Sequence, residues 1–210
     1  MSEISPLLTF ALTALIIEIT PGPNMTYLAA LSLSSGARTG FAAVAGIALG
    51  LMTYGLIAAF GLTTIIDDSP FLYGLLRWGG VLFLLWLAWE SWVSGDAASS
   101  EEIDERPWPA FRRGLITNLL NPKAAVFYIV VLPEFIRPES GSVMRQTLLL
   151  SVIYVAIATL IHATIVALAG SLQSVIVTAN NRVIIRRAFA LMLVGIAIWF
   201  ALTTGRSGVG

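Results

Sequence analysis

The chain has 210 residues, 57% hydrophobic and 11% charged, with zero formal net charge and a mean hydropathy of +0.86. A soluble domain carries about a quarter charged residues, so this composition excludes an ordinary globular protein, and it offers no basic excess for nucleic acid. There is no cysteine and a single histidine, His162, which excludes disulfides, thiolate sites, thiol nucleophiles and a multi-histidine metal centre.

A membrane helix needs about 20 mainly apolar residues. Six stretches meet or approach that length. The first, residues 6–31, has Glu18 as its only charge. Met1-Ser2-Glu3 lacks a positive run, and the apolar stretch continues beyond any cleavage point, so a retained first helix is expected. The second, 41–66, has no basic or acidic residue and repeats small residues at Ala42, Gly46 and Gly50, a stripe that lets another helix approach closely. The third, 71–93, carries Arg77 and Glu90 near its ends. A polar linker follows over 94–113, with an acidic run from Glu101 to Glu105 expected to be solvated. The fourth, 114–136, holds Lys123. The fifth lies within the uncharged span 146–177 and is long enough for one tilted helix plus an interfacial piece, ending at the turn signal Asn180-Asn181. The sixth is 188–204.

Orientation follows from basic residues in the short loops. One side would hold Arg38, Arg106, Arg112, Arg113, Arg182, Arg186 and Arg187. The other would hold Arg77, Arg137, Arg145 and Arg206. This bias places both termini outside and the linker in the cytoplasm. Trp89, Trp92 and Trp108 flank that linker at the expected headgroup level.

Two of the stretches contain helix breakers: Thr20-Pro21-Gly22-Pro23-Asn24 in the first and Asn118-Leu119-Leu120-Asn121-Pro122-Lys123 in the fourth. Backbone that unwinds at membrane depth persists only where protein or a water-lined cavity receives its freed polar groups. Aligning Pro21 with Pro122 superposes Thr20 on Asn121 and Tyr27 on Tyr128. Three spans on either side of the linker force opposite insertion of the two halves. The expected fold is an all-α integral membrane protein with six transmembrane helices. They form two inverted three-helix repeats, 1–93 and 114–210, with helices 1 and 4 broken near the midplane.

Thr20 and Asn121 are good helix N-caps, and proline suits the first position of a new helix. Each restart would aim free N–H groups and partial positive charge at a shared interior space, a natural seat for a carboxylate. Lys123 opposes the dipole in its restarted helix, and Glu18 precedes the first break. Each costs roughly 2.5–3.5 kcal/mol at that depth even on the lenient scale. Together they match a zwitterion: Lys123 and the N–H groups take the carboxylate, and Glu18 takes the amine or a coupled proton. A structural Glu18–Lys123 ion pair, snorkelling of Lys123 and simple proline kinks remain alternatives. His162 is either interhelical hydrogen-bond glue or a proton relay.

These residues resemble the LysE/RhtB amino-acid exporters, the threonine, homoserine and lysine efflux family. The resemblance is carried by Thr20-Pro21-Gly22-Pro23-Asn24, then by Gly36-Ala37-Arg38-Thr39-Gly40 before a glycine-spaced second helix. It continues in Asn118-Leu119-Leu120-Asn121-Pro122-Lys123-Ala124, with Leu132-Pro133-Glu134-Phe135 closing the fourth span. It implies a bacterial inner-membrane exporter of amino acids or close derivatives, driven by the proton gradient and homo-oligomeric. It also implies functional positions at Pro21, Gly22, Pro23, Asn24, Asn121, Pro122 and Lys123. Thr20 and Asn118 complete the expected substrate-binding set, and Glu18 stands on its physical chemistry alone. Expected partners are a small amino-acid-like substrate, protons and the lipid bilayer, without nucleic acid, metal or cofactor. A passive channel and a non-transporting accessory protein are the competing readings. An enzyme is not expected, because the chain has no histidine cluster, Gly-x-Ser-x-Gly elbow or paired carboxylates on one helix.

Overall fold

A computed structural model describes residues 6–20, 22–61, 107–176 and 182–203, with positions 71, 78, 79, 81, 82, 85, 86, 88, 89 and 92 of the third stretch. The rest of that stretch, Pro21, the acidic part of the linker and the Asn180-Asn181 turn lie outside the described residues. All regular structure among the described residues is helical. The main elements are α1 (Pro6–Ile19), α2 (Pro23–Ala59), α3 (Pro107–Leu119), α4 (Pro122–Val126), α5 (Val143–Ile176) and α6 (Arg182–Thr203).

Helix α2 is two limbs. Gly36 interrupts it with φ 85° and ψ 166°, a backbone state open to glycine but strained for other residues. Along a straight helix Ser32 and Gly40 would be about 12 Å apart. Instead a Cβ placed on Gly40 would fall on Ser32 Oγ, so the chain doubles back at Gly36. The expected turn between the first two stretches is therefore present.

The limb after Gly36 meets α3 backbone to backbone. A Cβ on Gly46 would strike the Phe111 carbonyl, and one on Gly114 would strike the Ala43 carbonyl. Gly50 makes room for the Asn118 side chain on the same face. The small-residue stripe thus does what its spacing predicts. Helix α5 closes the other side of this limb, with Gly170 against Ala37 and Ser151 against Gly55.

Helix α3 opens at Pro107, so its first two turns occupy residues read above as linker. Proline suits such a start, since a first-turn N–H has no partner in the helix. After α4 the helix widens into a π turn over Phe127–Val131 and then tightens into a 3₁₀ turn over Leu132–Phe135. Pro133 explains the change. It cannot bond the Ile129 carbonyl, and its ring would crowd that carbonyl in a regular α-helix.

The core holds Phe10, Leu28, Ile47, Leu51, Phe127, Tyr128 and Tyr154. The outside is also apolar: Ile16 is 69% exposed, Leu160 70% and Leu202 78%. Such a surface needs lipid as its solvent. The described part of α2 and residues 143–172 of α5 are each long and apolar enough to cross a membrane, and α3 with the run after it, bent by 51° at the break, is a third candidate. The protein is an α-helical integral membrane protein.

Candidate functional site: the two helix breaks

The first break lies between α1 and α2. Thr20 does not cap the new helix. Its hydroxyl donates back to the Ile16 carbonyl at 3.1 Å, which binds it to the end of α1. The N-cap is Gly22, in an extended conformation (φ −157°, ψ 179°) with no side-chain cap hydrogen bond, and Pro23 takes the first helical position. The expected start at Pro21 is thus displaced by two residues. Both prolines suit a first position, and the extended Gly22 between them selects the second. The helix ladder begins with the Thr26 N–H donating to the Gly22 carbonyl at 3.1 Å, so the N–H groups of Asn24 and Met25 precede it.

The second break, between α3 and α4, follows the expectation. Asn121 is the N-cap, its side chain accepts from the Lys123 backbone N–H at 3.0 Å, and Pro122 holds the first helical position. The Lys123 N–H is therefore already satisfied. Of the two restarts, that of α4 has a side-chain cap and that of α2 has none.

The breaks meet. Lys123 Nζ donates to the Thr20 carbonyl at 2.8 Å, and Asn24 Nδ2 donates to Asn118 Oδ1 at 2.9 Å in a buried contact. Lys123 thereby satisfies a carbonyl at the negative end of α1. The Tyr54 hydroxyl does the same for α3, donating to the Leu119 carbonyl at 2.8 Å. Gly22 lies beneath the lysine stem, where an added Cβ would be 3.4 Å from Lys123 Cδ.

Glu18 is buried, at 5% exposure, on a stripe of α1 shared with Phe10 and Ala14. Its Oε1 accepts from the Tyr154 hydroxyl at 2.6 Å. Its Oε2 lies 3.7 Å from His162 Nε2, beyond hydrogen-bond length. Among the described residues Glu18 and Lys123 do not pair, because the ammonium goes to Thr20. A cleft lies between them, lined by Glu18, Gly22, Asn24, Met25, Asn121, Lys123 and His162. It has room for about one water molecule.

The residues of the second break therefore contribute to the same cleft as those of the first. Gly22, Asn24, Asn121 and Lys123 line it directly. Asn118 stands behind Asn24, Pro23 is buried at the start of α2, and Thr20 offers its carbonyl. Pro21 lies outside the described residues, as does the Pro122 side chain.

Residues 15–204 match the LysE family, described as LysE type translocator. The chain belongs to this family. The homoserine/homoserine lactone efflux protein of Salmonella typhi is 26% identical over 190 residues, covering 89% of this chain and 92% of its own length. An uncharacterized membrane protein of Vibrio cholerae is 26% identical over 198 residues, or 92% and 95% of the two chains. The uncharacterized membrane protein YahN of Escherichia coli is 34% identical over 154 residues, 69% of each. No solved structure matches the chain.

As a LysE type translocator the protein moves small molecules, in keeping with its lipid-facing helices. Sequence reasoning did not find Met25 at this LysE-family cleft, or Tyr154 bonded to its Glu18. A tyrosine in an apolar helix carries no sign of its distant carboxylate partner. His162 and Glu18 can each be found by their rarity in apolar spans, but their 3.7 Å proximity could not.

Proposed function

We propose that the protein exports amino acids or closely related small zwitterions across the bacterial inner membrane by proton-coupled antiport. The observation that carries this reading is the cleft, where a carboxylate and an ammonium from opposite halves of the chain face one space without pairing. A zwitterion supplies the missing charge to each. Its carboxylate would lie between Lys123 and the uncapped N-terminus of α2, where positive charge gathers. Its amine, or the coupled proton, would take Glu18. The efflux activity named for the Salmonella relative supports the direction of transport and the size of the cargo.

The layout that serves this function is the inverted repeat, with six spans and both termini outside. A helix of similar length precedes each break, 14 residues in α1 and 13 in α3, and each restart begins at a proline. Alternation would open the small cleft first to one side and then to the other.

The test is counterflow in proteoliposomes loaded with labelled amino acids. Lys123→Ala should cut exchange by more than about tenfold, the effect of losing one charge-assisted hydrogen bond, while the protein still inserts. Normal exchange by a well-inserted variant removes Lys123 from the mechanism and with it this reading. Collapsing the proton gradient with the cargo gradient fixed should stop uphill export, and unchanged export would indicate a passive channel.

A further inference from the structure

Glu18 is a buried residue that lines the cleft, and its Oε2 makes no hydrogen bond. Tyr154 occupies the other oxygen, Lys123 is engaged at Thr20, and His162 stands too far away to bond. Two further polar groups facing this cleft are also unsatisfied. Asn24 uses its amide nitrogen on Asn118, which leaves its buried Oδ1 without a partner. The ring nitrogens of His162, a residue 1% exposed, have no hydrogen-bond partner. Buried polar groups are nearly always paired, so two orphaned side chains beside an unbonded carboxylate oxygen around one cleft call for a ligand.

Each of the three groups offers an acceptor. A carboxylate oxygen and an amide oxygen only accept, and a neutral imidazole offers one accepting nitrogen. A primary ammonium carries three N–H donors in a group about the size of a water molecule. The cleft has room for about one such group. We infer that Glu18, Asn24 and His162 form a three-acceptor seat for a primary ammonium, with Tyr154 as the positioning residue that fixes the carboxylate. This rests on the exporter reading and deepens it by assigning the cargo's amine, instead of a proton, to Glu18. The gap of 3.7 Å between Glu18 and His162 is the opening that the ammonium bridges. The same seat excludes quaternary amines, which have no N–H to donate and exceed the available room.

The experiment compares two probes on detergent-purified protein. One is an equimolar mixture of the protein amino acids with homoserine, and the other is the same mixture converted to N-trimethyl betaines. Thermal unfolding followed by the fraction of protein left soluble after heating and centrifugation reads binding as an upward shift in Tm. The first mixture should raise Tm and the second should not. His162→Leu should raise the half-saturating concentration of the first mixture more than about tenfold. His162→Gln, which keeps a neutral acceptor, should recover much of that loss. Equal shifts with both mixtures would overturn the seat while leaving the exporter reading intact, and would point to a proton or an ordered water at Glu18. An unchanged half-saturating concentration in His162→Leu would likewise overturn it. No shift with either mixture would remove the exporter reading as well.

Discussion

At the first break the chain leaves α1, extends through Gly22 and restarts at Pro23 with no side-chain cap hydrogen bond among the described residues. At the second it leaves α3 and restarts at Pro122 beneath the Asn121 side chain. The two corners share a proline at the first helical position and differ in the residue before it. Asparagine caps an N–H of its own helix end, whereas glycine has no side chain to do so. The second corner is therefore partly closed by its own side chain and serves as a platform for Lys123. The other is incomplete and has an approach to its backbone. On the proposed reading, the uncapped corner would receive the cargo carboxylate and the capped corner would carry Lys123 toward it.

The sharpest way to break this contrast is to complete the first corner. Gly22→Asp would place a carboxylate at the N-cap, where aspartate is strongly favoured and the extended backbone already fits. The new side chain would also lie beside Lys123, whose Nζ is 3.9 Å from a Cβ at this position. The seat for the cargo carboxylate would then be occupied by the protein itself. Counterflow should fall by more than about tenfold, the scale of one lost charge-assisted contact, while Tm holds or rises. Normal counterflow would show that the α2 N-terminus does not receive cargo.

The reverse change opens the second corner. Asn121→Ala removes the cap and leaves the Lys123 N–H without its partner, which should cost about 1 kcal/mol of stability. Thermal unfolding should register that loss. Counterflow should fall less than in Gly22→Asp, because the charges facing the cleft are kept. A fall as large as that of Gly22→Asp would mean that the second corner also binds cargo directly.

The positions of both corners are legible in the sequence, since proline, glycine and asparagine in an apolar run have few other uses. Which proline starts the first helix is not. Thr20-Pro21-Gly22-Pro23 offers two candidate starts, and local preference scores Thr20-Pro21 as the better cap. The fold decides otherwise, because the Thr20 hydroxyl turns back to Ile16 and its carbonyl is needed by Lys123. The stripe at Gly46 and Gly50 is legible as a close approach, but its partner α3 is not, because spacing carries no information about what lies opposite. Glu18 announces itself by its charge, whereas Tyr154 and the 2.6 Å bond between them depend on how α5 packs across α1.

The smallest expected effect tests what the glycine itself is for. Gly22 has an extended φ that any residue adopts, so its conformation does not require glycine. A Cβ there would meet Lys123 Cδ at 3.4 Å, an ordinary contact. Gly22→Ala should therefore change stability by no more than about 0.5 kcal/mol and leave counterflow within about twofold. If alanine instead abolishes counterflow in a stable protein, the lost hydrogen atom must have marked the point where cargo touches backbone. The carboxylate would then rest on the peptide groups of the first corner, and Lys123 would serve chiefly to tie that corner to the second half of the chain.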